Sequence, residues 1–159
     1  MLKPTCVVLL GLFASARAAM EGFVAGGQYA KIANQAHSVF LDVLQHVSKE
    51  ESWMCGSSIL NQQLLLTAGH CCHGCSYASR IKIHVGSANR ELGDIHDFHD
   101  FVIHENFNRQ SLVNDICLVK VRTPLTLRSN AVTRVALNRY PPYGETATVA
   151  GWGVIDVSN

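Results

Sequence analysis

The sequence predicts an all-β protein, built as an antiparallel β-barrel or sandwich. Short stretches that favour strands recur along the chain, and polar turns, several of them containing glycine, separate them. The clearest stretch alternates Ile81, Ile83 and Val85 with Lys82 and His84, which is the period of two that a half-buried strand shows. No long amphipathic helical pattern interrupts these stretches, and several short strands without such helices are typical of antiparallel barrels and sandwiches.

The individual strands are predicted, in chain order, from apolar or β-branched residues bounded by turn signals. They cover residues 38–44, 64–67, 80–85, 98–104, 116–121 and 146–150. A connector is predicted at residues 141–144, because its two prolines cannot donate to a strand ladder and its glycine frees a turn.

The composition is that of one ordinary folded domain. Of 159 residues, 48% are hydrophobic and 16% are charged, which excludes a disordered or collagen-like chain. The 13 basic and 12 acidic side chains leave a net charge of +1, so the charge gives no support to a nucleic-acid or membrane-surface binder.

The N-terminal segment has the pattern of a secretory signal peptide. Lys3 gives a positive start, residues 6–14 form an apolar run, and ARA at residues 16–18 is a small-x-small cleavage pattern. The apolar run falls well short of the roughly 20 residues that a membrane-spanning helix needs. We therefore predict a signal peptide over residues 1–18 and a secreted, extracellular mature chain.

The cysteine content agrees with an oxidising compartment. Six cysteines occur, at positions 6, 55, 71, 72, 75 and 117. Removal of the signal peptide takes Cys6 away and leaves an odd number, so at least one cysteine of the mature chain cannot pair within it.

A histidine and an aspartate stand out as a candidate acid–base pair. His70 lies in LLTAGHC at residues 65–71, and Asp115 lies in NDICL at residues 114–118, 45 positions later. A histidine acts as a general base near neutral pH only if its tautomer is fixed and its cationic form is compensated, and a buried carboxylate does both. Because each residue adjoins the end of a predicted strand, the two side chains can meet when a barrel closes.

These segments together resemble the chymotrypsin/trypsin-like serine proteases. TAGHC at residues 67–71 is similar to the family's Thr-Ala-Ala-His-Cys, and NDI at residues 114–116 is similar to its Asn-Asp-Ile. CGSS at residues 55–58 and GWG at residues 151–153 resemble the family's Cys-Gly-Gly-Ser and the Gly-Trp-Gly that opens its second barrel. The interval between histidine and aspartate also agrees with the family's interval of about 45 residues.

The resemblance implies roles for four residues. His70 is expected to be the general base and Asp115 to orient it, while Cys55 and Cys71 are expected to form a disulfide of the first barrel. Such a disulfide would stabilise the folded state by about 3 kcal/mol in the chain-entropy model, because it closes a loop in the unfolded chain.

The resemblance also implies a chymotrypsin-like fold of two antiparallel β-barrels, of which this chain completes the first and only begins the second. We assign residues 19–23 to a short propeptide and residues 24–159 to a partial peptidase domain. Within it, about 24–122 form the first barrel and about 123–159 form the connector and the start of the second.

Val24 is the expected start of the activated chain. VAGG at residues 24–27 resembles the family's Ile-Val-Gly-Gly, whose new amino group pairs with a carboxylate beside the nucleophile after the zymogen is cleaved. Phe23 stands where the family usually has arginine or lysine. Two alternatives follow: cleavage after Phe23 by a chymotrypsin-like activator, or a homologue that is never activated.

The family's nucleophilic serine lies in a Gly-Asp-Ser-Gly-Gly segment roughly 90 residues beyond the aspartate, and the 159 residues contain no such segment. Removal of the triad serine costs on the order of 10⁶ in kcat. We therefore expect a fragment of a secreted serine endopeptidase, which hydrolyses peptide bonds by acyl transfer and is inactive without the missing part. The alternatives are a non-catalytic homologue that acts as a binding or regulatory module, and a defective truncated product.

The expected partners are protein or peptide substrates and protein protease inhibitors, and we expect a monomer that needs no cofactor, metal, nucleic acid or membrane. A zinc site in HCCHGC at residues 70–75 is less favoured than disulfide chemistry in a secreted chain. Two alternatives are open for Cys72 and Cys75. They form a disulfide with each other, or one of them pairs with a cysteine outside these 159 residues. Cys117 is expected to pack as a small buried hydrophobic residue.

Overall fold

The computed structural model describes residues 27–44, 52–75 and 80–153, and the predicted signal peptide, the predicted propeptide at residues 19–23 and Val24 lie outside these ranges. A 3₁₀ turn, six strands and one short helix follow each other along the chain: 3₁₀ Ile32–Asn34, β1 Ser38–Leu44, β2 Ser52–Ile59, β3 Leu64–Thr67, α1 Gly69–Cys72, β4 Arg80–Val85, β5 Asp94–Ile103 and β6 Cys117–Val121. None of the helices in the described ranges is long and apolar enough to cross a membrane.

The six strands form a closed antiparallel barrel in the order β1-β2-β3-β6-β5-β4. The sequence left a barrel and a sandwich open, and the structure decides for the barrel. Closure gives every strand two hydrogen-bonded neighbours, so the sheet has no exposed edge.

The core lies inside this barrel and is built from alternating strand positions. On β4, Ile81, Ile83 and Val85 point inwards and are at most 2% exposed, which confirms the predicted period of two. On β6, Cys117 and Val121 are buried in the same alternation. Each fully buried branched aliphatic side chain stabilises the fold by about 1.5–3 kcal/mol.

The predicted bounds of β1, β3 and β4 agree with the structure, and β6 begins one residue later than predicted. The sequence pattern did not predict β2, because one of its inward positions is Ser57 rather than an apolar residue. This serine is 9% exposed, and its hydroxyl donates a 2.9 Å hydrogen bond to the Leu66 carbonyl of β3. A buried polar group with a partner is thus tolerated where the pattern would require an apolar side chain.

β5 begins at Asp94, ahead of the predicted start at residue 98. Its first part pairs with β4, where Lys82 lies opposite Asp97 and forms a 2.6 Å ion pair with it. Its later part pairs with β6, and the register shifts between Phe98 and Asp100. The polar first part lacks the apolar alternation that marks a strand in the sequence.

The predicted strand at residues 146–150 is wrong, since these described residues adopt no regular structure. Val149, at its centre, is 75% exposed. A strand needs a neighbour to satisfy its backbone groups, and no strand of the described barrel pairs with this segment.

Candidate active site

His70 lies on α1, a single helical turn at one end of the barrel. β3 ends at Thr67, Ala68 is extended with φ −77° and ψ 149°, and α1 begins at Gly69. This abrupt change from strand to helix places the His70 side chain at the rim, where it is 53% exposed.

Two side-chain hydrogen bonds fasten this turn to β2. The Thr67 hydroxyl donates to the Gly56 carbonyl at 2.8 Å. The Trp53 indole N–H donates to the Cys71 carbonyl at 3.1 Å and so holds the helix itself. Hydrogen bonds with β2 therefore hold the backbone around His70 independently of any contact made by the His70 side chain.

Asp115 lies in a tight turn that leads into β6. Leu112 and Asn114 both have positive φ, at 55° and 57°, and asparagine adopts this conformation more readily than most residues. The Asn114 side-chain amide donates a 3.0 Å hydrogen bond to the Asn106 carbonyl, and the Ile116 N–H donates to the Asn114 carbonyl at 2.8 Å. These bonds define the backbone on both sides of Asp115.

The Asp115 carboxylate binds His70 through both of its oxygens. Oδ2 lies 2.7 Å from the His70 ring atom Nδ1, and Oδ1 accepts a 2.7 Å hydrogen bond from the His70 backbone N–H. The structure thus brings together the two residues that the sequence proposed as a pair. With Nδ1 facing the carboxylate, Nε2 is left as the ring nitrogen available for proton transfer.

The Asp115 carboxyl is only 20% exposed. This burial by itself raises the pKa of Asp115, but hydrogen bonds from the His70 ring and from the backbone N–H groups of His70 and Gly69 outweigh it and leave the pKa below its usual range. The carboxylate is therefore ionised at neutral pH, as an orienting group for a histidine must be.

Gly69 permits this close approach. A Cβ at this position would lie 3.2 Å from Asp115 Oδ1, 3.2 Å from the Ile103 side chain and 3.3 Å from the Ile116 nitrogen. These distances are shorter than most Cβ contacts, so a side chain at this position would require Asp115, Ile103 or Ile116 to shift.

Cys55 and Cys71 form a disulfide in the structure, with their Cα atoms 6.2 Å apart. This is the pair that the family resemblance implies, and it ties β2 to the residue next to His70. Cys71 Sγ also lies 3.6 Å from His70 Nε2. The close grouping of these two sulfurs with His70 does not make a zinc site, because sulfurs joined to each other are not thiolate ligands.

Cys72 contacts Cys117 rather than bridging to Cys75. The two sulfurs, Cys72 Sγ and Cys117 Sγ, are 3.0 Å apart, and both residues are 1% exposed. The expected packing of Cys117 in the interior is confirmed, while a Cys72–Cys75 bridge is not formed.

Two supporting residues escaped the sequence reasoning. Trp53 holds α1 from a distance of 18 positions in the sequence, and only recognition of β2 as the adjoining strand would have indicated it. The backbone carbonyl of Asn106 accepts a hydrogen bond from the Asn114 side chain. Every residue has such a carbonyl, so the sequence could not indicate this contact.

The chain is similar to known protein sequences. The family model described as Trypsin matches residues 24–159. Trypsin epsilon of Drosophila erecta is 32% identical over 138 residues, which are 86% of this chain and 51% of that protein. Trypsin of Sarcophaga bullata is 38% identical over 104 residues, 64% of this chain and 40% of that protein. The chain spans about half the length of the curated relatives it matches.

Solved structures share the fold. The crystal structure of the scabies mite inactivated protease paralogue S-D1 superposes with a TM-score of 0.66 at 23% identity, over 77% of this chain and 50% of that one. The HL collagenase structure superposes with a TM-score of 0.62 at 22% identity, over 70% of this chain and 46% of that one. At such identities the likeness concerns the chymotrypsin-like barrel alone.

Proposed function

This chain belongs to the trypsin family, and on that premise we propose that it carries the general base and the orienting carboxylate of a secreted serine endopeptidase. The observation that carries the proposal is the double contact of Asp115 with His70, at 2.7 Å to the ring and 2.7 Å to the backbone. A single ion pair could form by chance at a surface, whereas two contacts from one carboxylate define both the position and the tautomer of the ring.

In this role Asp115 accepts a hydrogen bond from Nδ1–H of His70, so the lone pair of Nε2 is free to take the proton of a serine hydroxyl. The serine oxygen then attacks the peptide carbonyl, and His70 returns the proton to the leaving amine. Asp115 stays ionised throughout and stabilises the cationic ring. The half-exposed position of His70 supports this role, because a substrate and a serine must both reach Nε2.

We further propose that the serine belongs to a Gly-Asp-Ser-Gly-Gly segment that these 159 residues do not contain. The curated relatives support this assignment, because this chain spans only about half of their length. Without the serine, residues 1–159 alone are inactive, by a factor on the order of 10⁶ in kcat.

The remaining proposals concern processing and partners. Residues 1–18 are the signal peptide of a secreted zymogen, residues 19–23 its propeptide, and cleavage after Phe23 exposes Val24. Residues from about 24 to 122 belong to the first barrel, and residues from about 123 to 159 belong to the connector and the start of the second. The activated monomer cleaves protein or peptide substrates and is a target of protein protease inhibitors.

The experiment measures peptide hydrolysis and the labelling of the full-length natural protein by a serine-directed phosphonate probe. We expect His70→Ala to lower kcat on the order of 10⁶ and to abolish rapid labelling. His73→Ala is the matched control, because His73 follows on the same turn and does not contact Asp115 in the structure; it should stay within about tenfold of the natural protein. Equal labelling of the natural protein and His70→Ala would remove His70 from the mechanism.

The second candidate is a non-catalytic homologue that acts as a binding or regulatory module. Phe23 favours it, because arginine or lysine is the residue that a tryptic activator would need there. A folded, full-length natural protein that never reacts with the phosphonate, even after cleavage before Val24, would support this candidate over the protease.

A further inference from the structure

Two buried thiols meet beside the His70–Asp115 pair. Cys72 Sγ on α1 and Cys117 Sγ on β6 are 3.0 Å apart, across 45 positions of sequence. Each cysteine lies two positions after one member of the pair, so the sulfur contact runs parallel to the histidine–aspartate contact and joins the same two segments.

The barrel topology creates this contact. Cys117 lies opposite Thr67 on β3 and opposite Ile103 on β5, at the end of the barrel from which α1 emerges. The single turn of α1 then brings Cys72 back over that end. Cys72 and Cys117 are both 1% exposed, so packing holds each sulfur in the direction of the other.

We propose that Cys72 and Cys117 form a second disulfide in the oxidised protein. A thiol–thiol hydrogen bond is weak, while thiols this close in an oxidising compartment are stable as a disulfide. A shift of about 1 Å brings the sulfurs to the bonded distance of about 2.05 Å. The proposal rests on the proposed function in one respect: secretion takes the chain through a compartment that supplies the oxidant.

The chemistry balances with one molecule of a disulfide oxidant such as glutathione disulfide. The S–H bonds of Cys72 and Cys117 and the S–S bond of the oxidant break. One S–S bond forms between the cysteines, and two glutathione S–H bonds form. The cysteines thus lose two electrons and two protons, which glutathione gains by two successive thiol–disulfide exchanges.

The thiol–disulfide exchange takes place during folding, before the barrel closes. Both sulfurs are inaccessible once the barrel is closed. In the closed barrel, contact with the Cys117 thiol and burial also raise the pKa of Cys72, and a thiol that resists ionisation reacts slowly. A bridge formed during folding is, by the same burial, protected from reductants afterwards.

The bridge has a consequence for the candidate active site. Cys55–Cys71 ties α1 to β2, whereas Cys72–Cys117 ties α1 to β6, the strand that Asp115 leads into. With both in place, the turn that carries His70 is covalently joined to two strands, and the distance between His70 and Asp115 is limited by a bond as well as by packing.

The test maps the disulfides of the natural full-length protein without measuring activity. The protein is unfolded in N-ethylmaleimide, which blocks thiols, and is digested after lysine and arginine. Digestion gives residues 50–80, with four of the cysteines, and residues 110–120, with Cys117 alone. We expect these peptides to remain joined until a reductant is added, with Cys117 unlabelled.

Two single variants identify the sulfur that Cys117 binds. Cys75→Ala should keep the two peptides joined, whereas Cys72→Ala should separate them and leave Cys117 labelled by maleimide. If Cys72→Ala does not fold, fragmentation of the joined natural peptides between positions 72 and 75 gives the same assignment.

A labelled Cys117 in the natural protein overturns the proposal, and so does a joined pair of peptides in folded Cys72→Ala. Neither result bears on His70 as a base, since the map is independent of hydrolysis. Conversely, an inactive protein with the mapped bridge would contradict the proposed function alone.

Discussion

The barrel and the segment that follows it use similar residues but differ in structure. In the barrel, every strand has two hydrogen-bonded neighbours, and β1, β2, β3, β4 and β6 contribute buried side chains to the core. In the described part after residue 122, apolar residues are mostly exposed: Leu137 is 67%, Tyr143 89% and Val149 75% exposed. Apolar side chains therefore define a core only where a neighbouring element covers them.

The later segment is buried where it touches the barrel. Leu125 and Val132 are each 1% exposed and extend the core. The Val135 N–H donates a 2.8 Å hydrogen bond to the Ile59 carbonyl at the end of β2. Farther along, residues 145–150 have no regular structure until Trp152 returns to the barrel surface. The contrast shows that burial in this segment depends on contacts with the barrel.

The largest expected effect separates the two regions directly. Leu41→Ala removes a fully buried side chain from β1, and we expect the free energy of unfolding to fall by about 2–5 kcal/mol through lost burial and a cavity. Leu137→Ala, the same change at a position that is 67% exposed, should stay within about 0.5 kcal/mol when both variants are compared in residues 1–159. Urea unfolding of both variants measures the difference, and equal losses would mean that exposure in the structure does not reflect packing.

The next effect concerns the bridge between β2 and α1. Cys55→Ala combined with Cys71→Ala should lower the free energy of unfolding by about 3 kcal/mol, because the unfolded chain regains the entropy of the closed loop. Urea unfolding under oxidising and reducing conditions measures it. In reductant the natural protein loses this bridge as well, so the difference between the two proteins should shrink; a difference that persists unchanged would point to packing rather than to the bond.

The same contrast explains what the sequence could predict. β4 was predictable because Ile81, Ile83 and Val85 alternate with polar residues and the barrel buries that face. β2 was not, because Ser57 occupies an inward position through a hydrogen bond to another strand. Residues 146–150 have the residue types of a strand, but strand formation also requires a partner, which composition does not encode.

The candidate site shows the same limit. Spacing and residue type nominated His70 and Asp115, since the chemistry of a histidine base requires a carboxylate. The support from Trp53 depends on β2 and α1 lying side by side, and the close approach at Gly69 depends on α1 lying against β5 and the turn that precedes β6. Both are consequences of barrel closure. The sequence therefore indicated the His70–Asp115 pair and the Cys55–Cys71 disulfide beside it, but not Trp53 or the role of Gly69.

A smaller expected effect concerns the contacts between Asp115 and His70 and the pH dependence of the free energy of unfolding. The folded pKa of Asp115 lies below its unfolded value of about 3.9. Its stabilisation is therefore present above that value and is lost as pH falls through the folded pKa. Asp115→Asn should lower the free energy of unfolding at pH 7 by about 1–2 kcal/mol, and should reduce the loss of stability between pH 6 and acid pH.

Urea unfolding across this pH range measures the effect, with Asp42→Asn, an exposed position on β1, as the control. The control should keep the acid dependence of the natural protein. If both variants show the same acid dependence, the contacts of Asp115 with α1 do not contribute to stability.

The smallest effect tests how the end of the described chain is held. The Trp152 indole N–H donates a 2.8 Å hydrogen bond to the Ala88 carbonyl, and its ring packs edge-on against Phe40 at 5.6 Å between centroids. Trp152→Phe keeps an aromatic ring but removes the donor, at a cost of about 0.5–1 kcal/mol.

Because the barrel does not depend on this contact, the cost should appear as local opening rather than global unfolding. Proteolytic cleavage within residues 145–153 should quicken by about fivefold in Trp152→Phe, while the urea midpoint stays within error of the natural protein. Trp53→Phe removes the indole donor that β2 offers to α1, and should instead quicken hydrogen exchange at residues 69–72. If Trp152→Phe also lowers the urea midpoint, the later segment is part of the barrel's cooperative unit, and the contrast between the two regions concerns exposure and not stability.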